Sequence, residues 1–231
     1  MKLEVGVPPS GAPSSLAARI ATMRANIAEA AHAAGRDPAT ITLVGVSKKQ
    51  PRAALLEAIE AGLTDIAENY AHEASEKFVA LPPVRKHFVG HVQSNKAKAI
   101  VDTFDLVQTI DRLETGRAIA RAQRLRGKRL RALLQINISR DDRFGVAPAD
   151  APALAAQLRD EEDLEIDGVM AIGPLTNDRA SIVSAFGEAA RAFERVGGTT
   201  LSIGMSGDWR EAIACGSTML RIGTAIFGTR I

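Results

Sequence analysis

From residue 41 onward the chain repeats one pattern of apolar and polar positions. A short run rich in Val, Ile and Leu is followed by a turn and then by an Ala-rich amphipathic segment. Eight such runs occur, over residues 41–47, 65–70, 86–91, 106–110, 130–138, 164–173, 200–206 and 219–228. Their length and composition suit buried strands. The stretches between them, such as 51–62, 95–104, 148–160 and 180–196, carry apolar residues at helical spacing. Pro51 and Pro148 suit first-turn positions, and the pairs Asp111–Glu114 and Asp208–Glu211 have capping-box spacing. Ahead of the repeat, residues 16–34 place Ala, Ile and Met at helical intervals and stop at Gly35. That predicts a long first helix with a glycine C-cap.

Strict alternation of strand and helix predicts a parallel sheet with crossover helices. Eight units of roughly 23 residues each predict closure into an α/β fold, a single (β/α)8 TIM barrel. The alternative is an open doubly wound sheet, but no strand–GxGxxG–helix signal opens the chain to support it. The barrel and its extra N-terminal helix are expected to fill residues 16–231 as one domain. The first 15 residues, "MKLEVGVPPSGAPSS", are rich in Pro, Gly and Ser and lack the apolar core of a signal peptide. They are expected to form a disordered leader.

Composition narrows the partners. Of 231 residues, 46% are hydrophobic, enough for the core of one large domain. Twenty-nine Lys and Arg against 27 Asp and Glu leave a formal charge of +2. That balance is too even to argue for nucleic acid or a membrane. Cys215 is the single cysteine, so no internal disulfide forms and a reducing cytosol fits. No apolar run reaches membrane-span length. A cytoplasmic location is expected.

In such a barrel the chemistry sits at the C-terminal ends of the strands. The first strand ends in Lys48 and Lys49. By strand alternation Lys48 points with Val44 and Val46 and Lys49 the opposite way, so one of the two is aimed at the barrel mouth or interior. A lysine in a partly dry pocket is a usable amine nucleophile, and lysines form Schiff bases with carbonyls, pyridoxal phosphate included. A solvated lysine pair would look the same. The second strand ends in Glu68, Asn69 and Tyr70. In the third, His87 and His91 share a face but lie about 13 Å apart along a strand. That is too far for one metal ion, and no Cys or carboxylate cluster accompanies them, so a zinc site is rejected. His87 also fits as a plain core histidine. Ser94 or Asn95 caps the next helix.

The loops after strands 7 and 8 of such barrels often bind phosphate through glycine and backbone N–H groups. Ser206 and Gly207, with Gly223 and Thr224 in strand 8, have that chemistry, although glycine and serine are also ordinary turn residues. Arg221 lies in the middle of an apolar strand, where an unpaired guanidinium is costly. It needs a carboxylate, or else a ligand's ring nitrogen or phosphate. An arginine facing a pyridine nitrogen keeps that nitrogen unprotonated, which makes the ring a poor electron sink.

These segments resemble one family. "VGVSKKQP", "AENY", "HFVGHVQSNK", "TIDR", "LLQINIS", "GVMAIG", "LSIGMSGD" and "AIACGSTMLRIGTAIFG" are similar to motifs of the pyridoxal-phosphate homeostasis proteins, single-domain relatives of bacterial alanine racemase. The resemblance spans nearly the whole chain beyond residue 15. It implies a fold-type III barrel that binds pyridoxal 5′-phosphate. Lys48 matches the lysine that forms the aldimine. Asn69 and His87 match pocket residues near the cofactor. Ser206, Gly223 and Thr224 match the phosphate site, and Arg221 matches the arginine facing the ring nitrogen. The chain departs from the family pattern at Ile66-Ala67 before "ENY", at His91 where the family often has proline, and at Phe144 before Gly145.

The racemase relatives need a second, β-rich domain with a catalytic tyrosine. The chain ends soon after strand 8, and its one tyrosine, Tyr70, bears no mark of a base. The resemblance therefore implies a non-catalytic carrier that restrains the reactive aldehyde and passes it to pyridoxal-phosphate-dependent apo-enzymes. Without the second domain a monomer is expected. A minimal amino-acid racemase is the rival reading. A third class is recruitment of nucleic acid by "RAQRLRGKRLRALL", six basic residues between Arg121 and Arg131 at a helix–turn–strand junction. It lacks interleaved aromatics for stacking bases, so a solvated helix end explains it better.

Overall fold

The computed structural model describes residues 15–139 and 142–228. The expected leader lies outside them, save Ser15, whose hydroxyl accepts the Ala18 N–H at 3.2 Å and caps the first helix. Eight parallel strands close into a barrel in sequence order. They are β1 (Thr42–Val46), β2 (Asp65–Glu68), β3 (Arg85–Phe88), β4 (Leu106–Ile110), β5 (Arg131–Ile136), β6 (Ile166–Ala171), β7 (Thr200–Ser202) and β8 (Met219–Ile222). β8 pairs with β1, with Arg221 opposite Val44. The (β/α)8 expectation holds.

The helices are α1 (Leu16–Ala33), α2 (Arg52–Glu60), α3 (Ala71–Lys77), α4 (Ala97–Thr103), α5 (Leu113–Arg126), α6 (Ala151–Glu162), α7 (Arg179–Val196), α8 (Trp209–Ala214) and α9 (Thr224–Phe227). α9 is a single turn, too short to cover the seam between β8 and β1. α1 lies against α2, α8 and α9 and covers that seam instead. Its Arg19 Nε donates to the Ile226 carbonyl at 2.5 Å. Gly35, with φ +68°, follows α1 as the predicted glycine stop.

Several local expectations need correction. The run 219–228 is not one strand: β8 ends at Ile222, so Gly223 and Thr224 lie beyond it, at the start of α9. Pro148 precedes α6, and Pro152 holds the first-turn position. Neither capping box forms as expected. Asp111 takes the Thr115 hydroxyl and the Arg112 guanidinium, and Asp208 accepts the Met205 N–H at 2.6 Å. The basic stretch is a helix–turn–strand junction, as read. Yet Arg124, Arg126, Lys128, Arg129 and Arg131 face Glu162, Asp102, Asp105, Asp163 and Asp167. Its charge is largely neutralised by acids remote in sequence.

The main core lies between barrel and helices, where Leu43, Ile66, Phe88, Leu220 and Ile222 point outward among helix residues. The interior is different. It holds two small apolar groups, Val44, Ala67 and Met219 in one and Leu106, Leu133 and Met170 in the other, with polar side chains between.

Beyond β3 the backbone crosses close to the end of β2. A Cβ on Gly90 would stand 1.9 Å from the Asn69 carbonyl oxygen. Gly90→Ala is expected to push Asn69 out of place and to cost at least about 2 kcal/mol of stability in urea unfolding. An alanine variant as stable as the parent would contradict this packing.

Candidate functional site

A cavity of about 290 Å³ opens at the C-terminal mouth of the barrel, and it brings together Lys48, Asn69, Ser206, Gly207, Arg221, Gly223 and Thr224. Val46, Val89, Met170, Ile172 and Met205 form its apolar walls. The volume is near the lower end for small-ligand sites, about 300 Å³. Among the described residues lining it, only Lys48 and Arg221 are ionisable.

Lys48 and Lys49 are separated by backbone geometry. Lys48 continues the inward face of Val44 and Val46 and lines the cavity. Lys49 takes φ +60°, which breaks the alternation, and it is exposed. Lys48 sits between two anchored neighbours. The Ser47 hydroxyl donates to Glu68 Oε1 at 2.8 Å, and the Ser47 carbonyl accepts Lys77 Nζ at 2.9 Å. The Lys49 N–H donates to Glu73 Oε1 at 3.0 Å. Lys77 ties these together, donating to Glu68 at 2.6 Å and to Glu73 at 2.7 Å. This ionic cluster lies between the barrel and α3. Burial pushes the Glu68 carboxyl up, against the bonds from Lys77 and Ser47.

Arg221 projects into the barrel from β8 and is 5% exposed. Its Nη1 donates to the Ser202 carbonyl at 2.7 Å and the Ser202 hydroxyl at 2.6 Å, and its Nη2 to the Ala171 carbonyl at 2.8 Å. These bonds hold the guanidinium without a carboxylate. Burial pulls its pKa down to about 10, with the Asp208 charge opposing, so it stays charged at neutral pH.

His87 is the one expected pocket residue that does not line the cavity. It sits deeper, 2% exposed, with Nε2 2.9 Å from Asp65 Oδ1 and Nδ1 2.9 Å from Gln108 Nε2. Asp65, Gln108 and Ser202 escaped the sequence reading. Each is a polar residue at an inward position of an apolar run, the signal that did flag Arg221. The departures His91 and Phe144 meet: their rings stack at 3.7 Å between centroids, with planes 19° apart.

Two features leave room for a ligand with a polar donor. Asn69 Oδ1 is buried without a hydrogen-bond partner. A Cβ on Gly207 would meet nothing within 4 Å, so packing does not demand glycine there. Ser206 Oγ accepts the Ala225 N–H at 3.4 Å, which brings the loop after β7 to the start of α9.

The fold and site define a parallel barrel with an amine and a guanidinium around one cavity at its C-terminal mouth. The family model described as alanine racemase, N-terminal domain, matches residues 19–231, and the chain belongs to that family. A pyridoxal phosphate homeostasis protein of Pseudomonas aeruginosa is 42% identical over 222 residues, covering 94% of this chain and 96% of the relative. Another, from Escherichia coli strain K12, is 37% identical over 228 residues, covering 94% and 97%. The structure of PipY from Synechococcus elongatus PCC7942 with PLP bound is 32% identical, with a TM-score of 0.80 over 93% of this chain and 100% of that one.

Two predictions concern the anchors. Lys77→Met leaves Glu68 buried without its cation and is expected to cost about 3 kcal/mol or more in urea unfolding. The loss shrinks at lower pH, where Glu68 takes up a proton. Burial alone would raise the Asp65 pKa, but hydrogen bonds from His87, Arg85 and Thr64 outweigh it and bring the value from 3.8 to about 2. A depressed carboxyl stabilises the fold above its ordinary range and loses that contribution as pH falls through about 2. Asp65→Asn should therefore flatten the acid limb of stability against pH. An unchanged acid limb would contradict the assignment.

Proposed function

We propose that this protein binds pyridoxal 5′-phosphate in the cavity at the barrel mouth and serves intracellular homeostasis of that cofactor. The observation that carries the reading is the convergence of Lys48, Arg221 and the Ser206, Gly223 and Thr224 cradle on one cavity. When bound, the cofactor supplies an aldehyde that reacts with amines and a ring that can withdraw electrons. Lys48 presents the amine, held by its anchored neighbours. Ser206, Gly207, Gly223 and Thr224 receive the phosphate: glycine permits close backbone approach and the hydroxyls donate. Arg221 faces the ring nitrogen and keeps it unprotonated, since a guanidinium donates and cannot accept. The orphaned Asn69 oxygen takes a donor from the ligand. His87 acts at one remove.

The same residues favour a carrier over a racemase. Racemisation by two bases requires an acid/base group on each face of the reacting carbon. Among the described cavity residues Lys48 is the single candidate, because Arg221 cannot release its proton at neutral pH. Tyr70 is 54% exposed and does not line the cavity. The protein holds the aldehyde, limits its free concentration and hands it to apo-enzymes that need it, working as a monomer in the cytoplasm. No described helix is long and apolar enough to cross a membrane, which is compatible with that setting.

Adding pyridoxal phosphate is expected to produce a new long-wavelength absorption band in the parent and in Lys49→Ala, and none in Lys48→Ala. Turnover of D- or L-alanine should stay at background. A band that survives in Lys48→Ala would overturn the assignment of the lysine, and measurable turnover would favour the racemase.

A further inference from the structure

Below the cavity, five side chains on five strands form one continuous hydrogen-bonded chain. Arg221 Nη1 lies 2.6 Å from Ser202 Oγ, which lies 2.7 Å from Gln108 Oε1. Gln108 Nε2 lies 2.9 Å from His87 Nδ1, and His87 Nε2 lies 2.9 Å from Asp65 Oδ1. All five residues are buried. At the far end Asp65 also accepts from Thr64 Oγ1 at 2.8 Å and Arg85 Nη2 at 3.0 Å.

The two ends, with the Gln108 oxygen turned to Ser202 and its NH₂ to His87 and Met219 Sδ, fix the direction of every link. An arginine only donates, and an ionised carboxylate only accepts. Each residue between them must receive a hydrogen on its Arg221 side and give one on its Asp65 side. The Ser202 hydroxyl therefore donates to Gln108 Oε1. Gln108 presents its NH₂ to His87, which must accept at Nδ1. The ring hydrogen then sits on Nε2, directed at Asp65. A proton on Nδ1 would meet the Gln108 NH₂ and break the sequence of donors. Among the described residues Asp65 is the one acid hydrogen-bonded to the ring, and Arg85, from the ring's own strand, bonds Asp65. An interior lined with Leu and Val would need none of these groups.

We propose that Gln108 and His87 are positioning residues for Arg221, and that this one-way chain fixes the rotation of the guanidinium that faces the cavity. The proposal rests on the ring-facing role given to Arg221 above. With Nη1 tied to Ser202 and Nη2 to the Ala171 carbonyl, the donor edge is ordered before any ligand arrives, so its ordering cost falls on folding rather than on binding.

Two measurements test this. In nitrogen-15 NMR of the ligand-free protein, the His87 ring should show a protonated Nε2 and a bare, hydrogen-bonded Nδ1. A hydrogen on Nδ1 would overturn the chain. In the second, Gln108→Leu should weaken pyridoxal phosphate binding by about tenfold in the parent, yet have no further effect in an Arg221→Lys background. Equal losses in both backgrounds, or none in the parent, would show that Gln108 does not act through Arg221. If the parent binds no pyridoxal phosphate, the preceding reading of the cavity falls, and the NMR result alone decides on the chain.

Discussion

Arg221 stands on the inner wall of the barrel with almost no solvent contact, and an arginine cannot shed its charge at neutral pH. The interior has to supply acceptors, and much of its polarity follows from that need. Ser202 on β7 offers a hydroxyl and a carbonyl, and Ala171 on β6 a carbonyl. The hydroxyl in turn requires an acceptor of its own, which leads through Gln108 and His87 to Asp65. A polar layer thus divides the barrel interior into two small apolar groups. The bulk of the hydrophobic core moves outside the sheet, among the helices.

A second buried ionic group works from the other side of the sheet. Glu68, Lys77 and Glu73 lie between the barrel and α3 and clamp the backbone on both sides of Lys48. The cavity therefore receives a guanidinium fixed from within the barrel and an amine fixed from outside it. Neither the strands nor the helices alone would fix their relative position. The closure of β8 onto β1 does so, placing Arg221 opposite Val44, on the inward face that leads to Lys48.

Much of this was legible in the sequence, and the failures have physical causes. The eight apolar runs revealed the barrel because parallel strands are buried on both faces and so read as continuous apolar segments. The last run was too long for one strand, and Gly223 lets the chain turn into α9 where hydropathy shows no break. The resemblance put His87 near the cofactor, and strand parity carries no information on depth, so a residue one layer below the cavity was expected to line it. Parity also left the two lysines unresolved, because it grouped Lys48 with Val44 and Val46 without saying which face is inward. The basic stretch was read as a solvated helix end, but its partners could not be read from the sequence. Its partners Glu162, Asp102, Asp105, Asp163 and Asp167 lie on segments that only the fold brings near.

The central claim is that Lys48, held against Arg221 and the Ser206–Thr224 cradle, is the point of attachment for pyridoxal phosphate. Borohydride reduction of the cofactor-treated protein, followed by peptide mapping in a mass spectrometer, tests it most directly. The account predicts one dominant pyridoxyl adduct, on Lys48, that free inorganic phosphate at high concentration suppresses. An adduct spread over exposed lysines, or concentrated on Lys49, would contradict it.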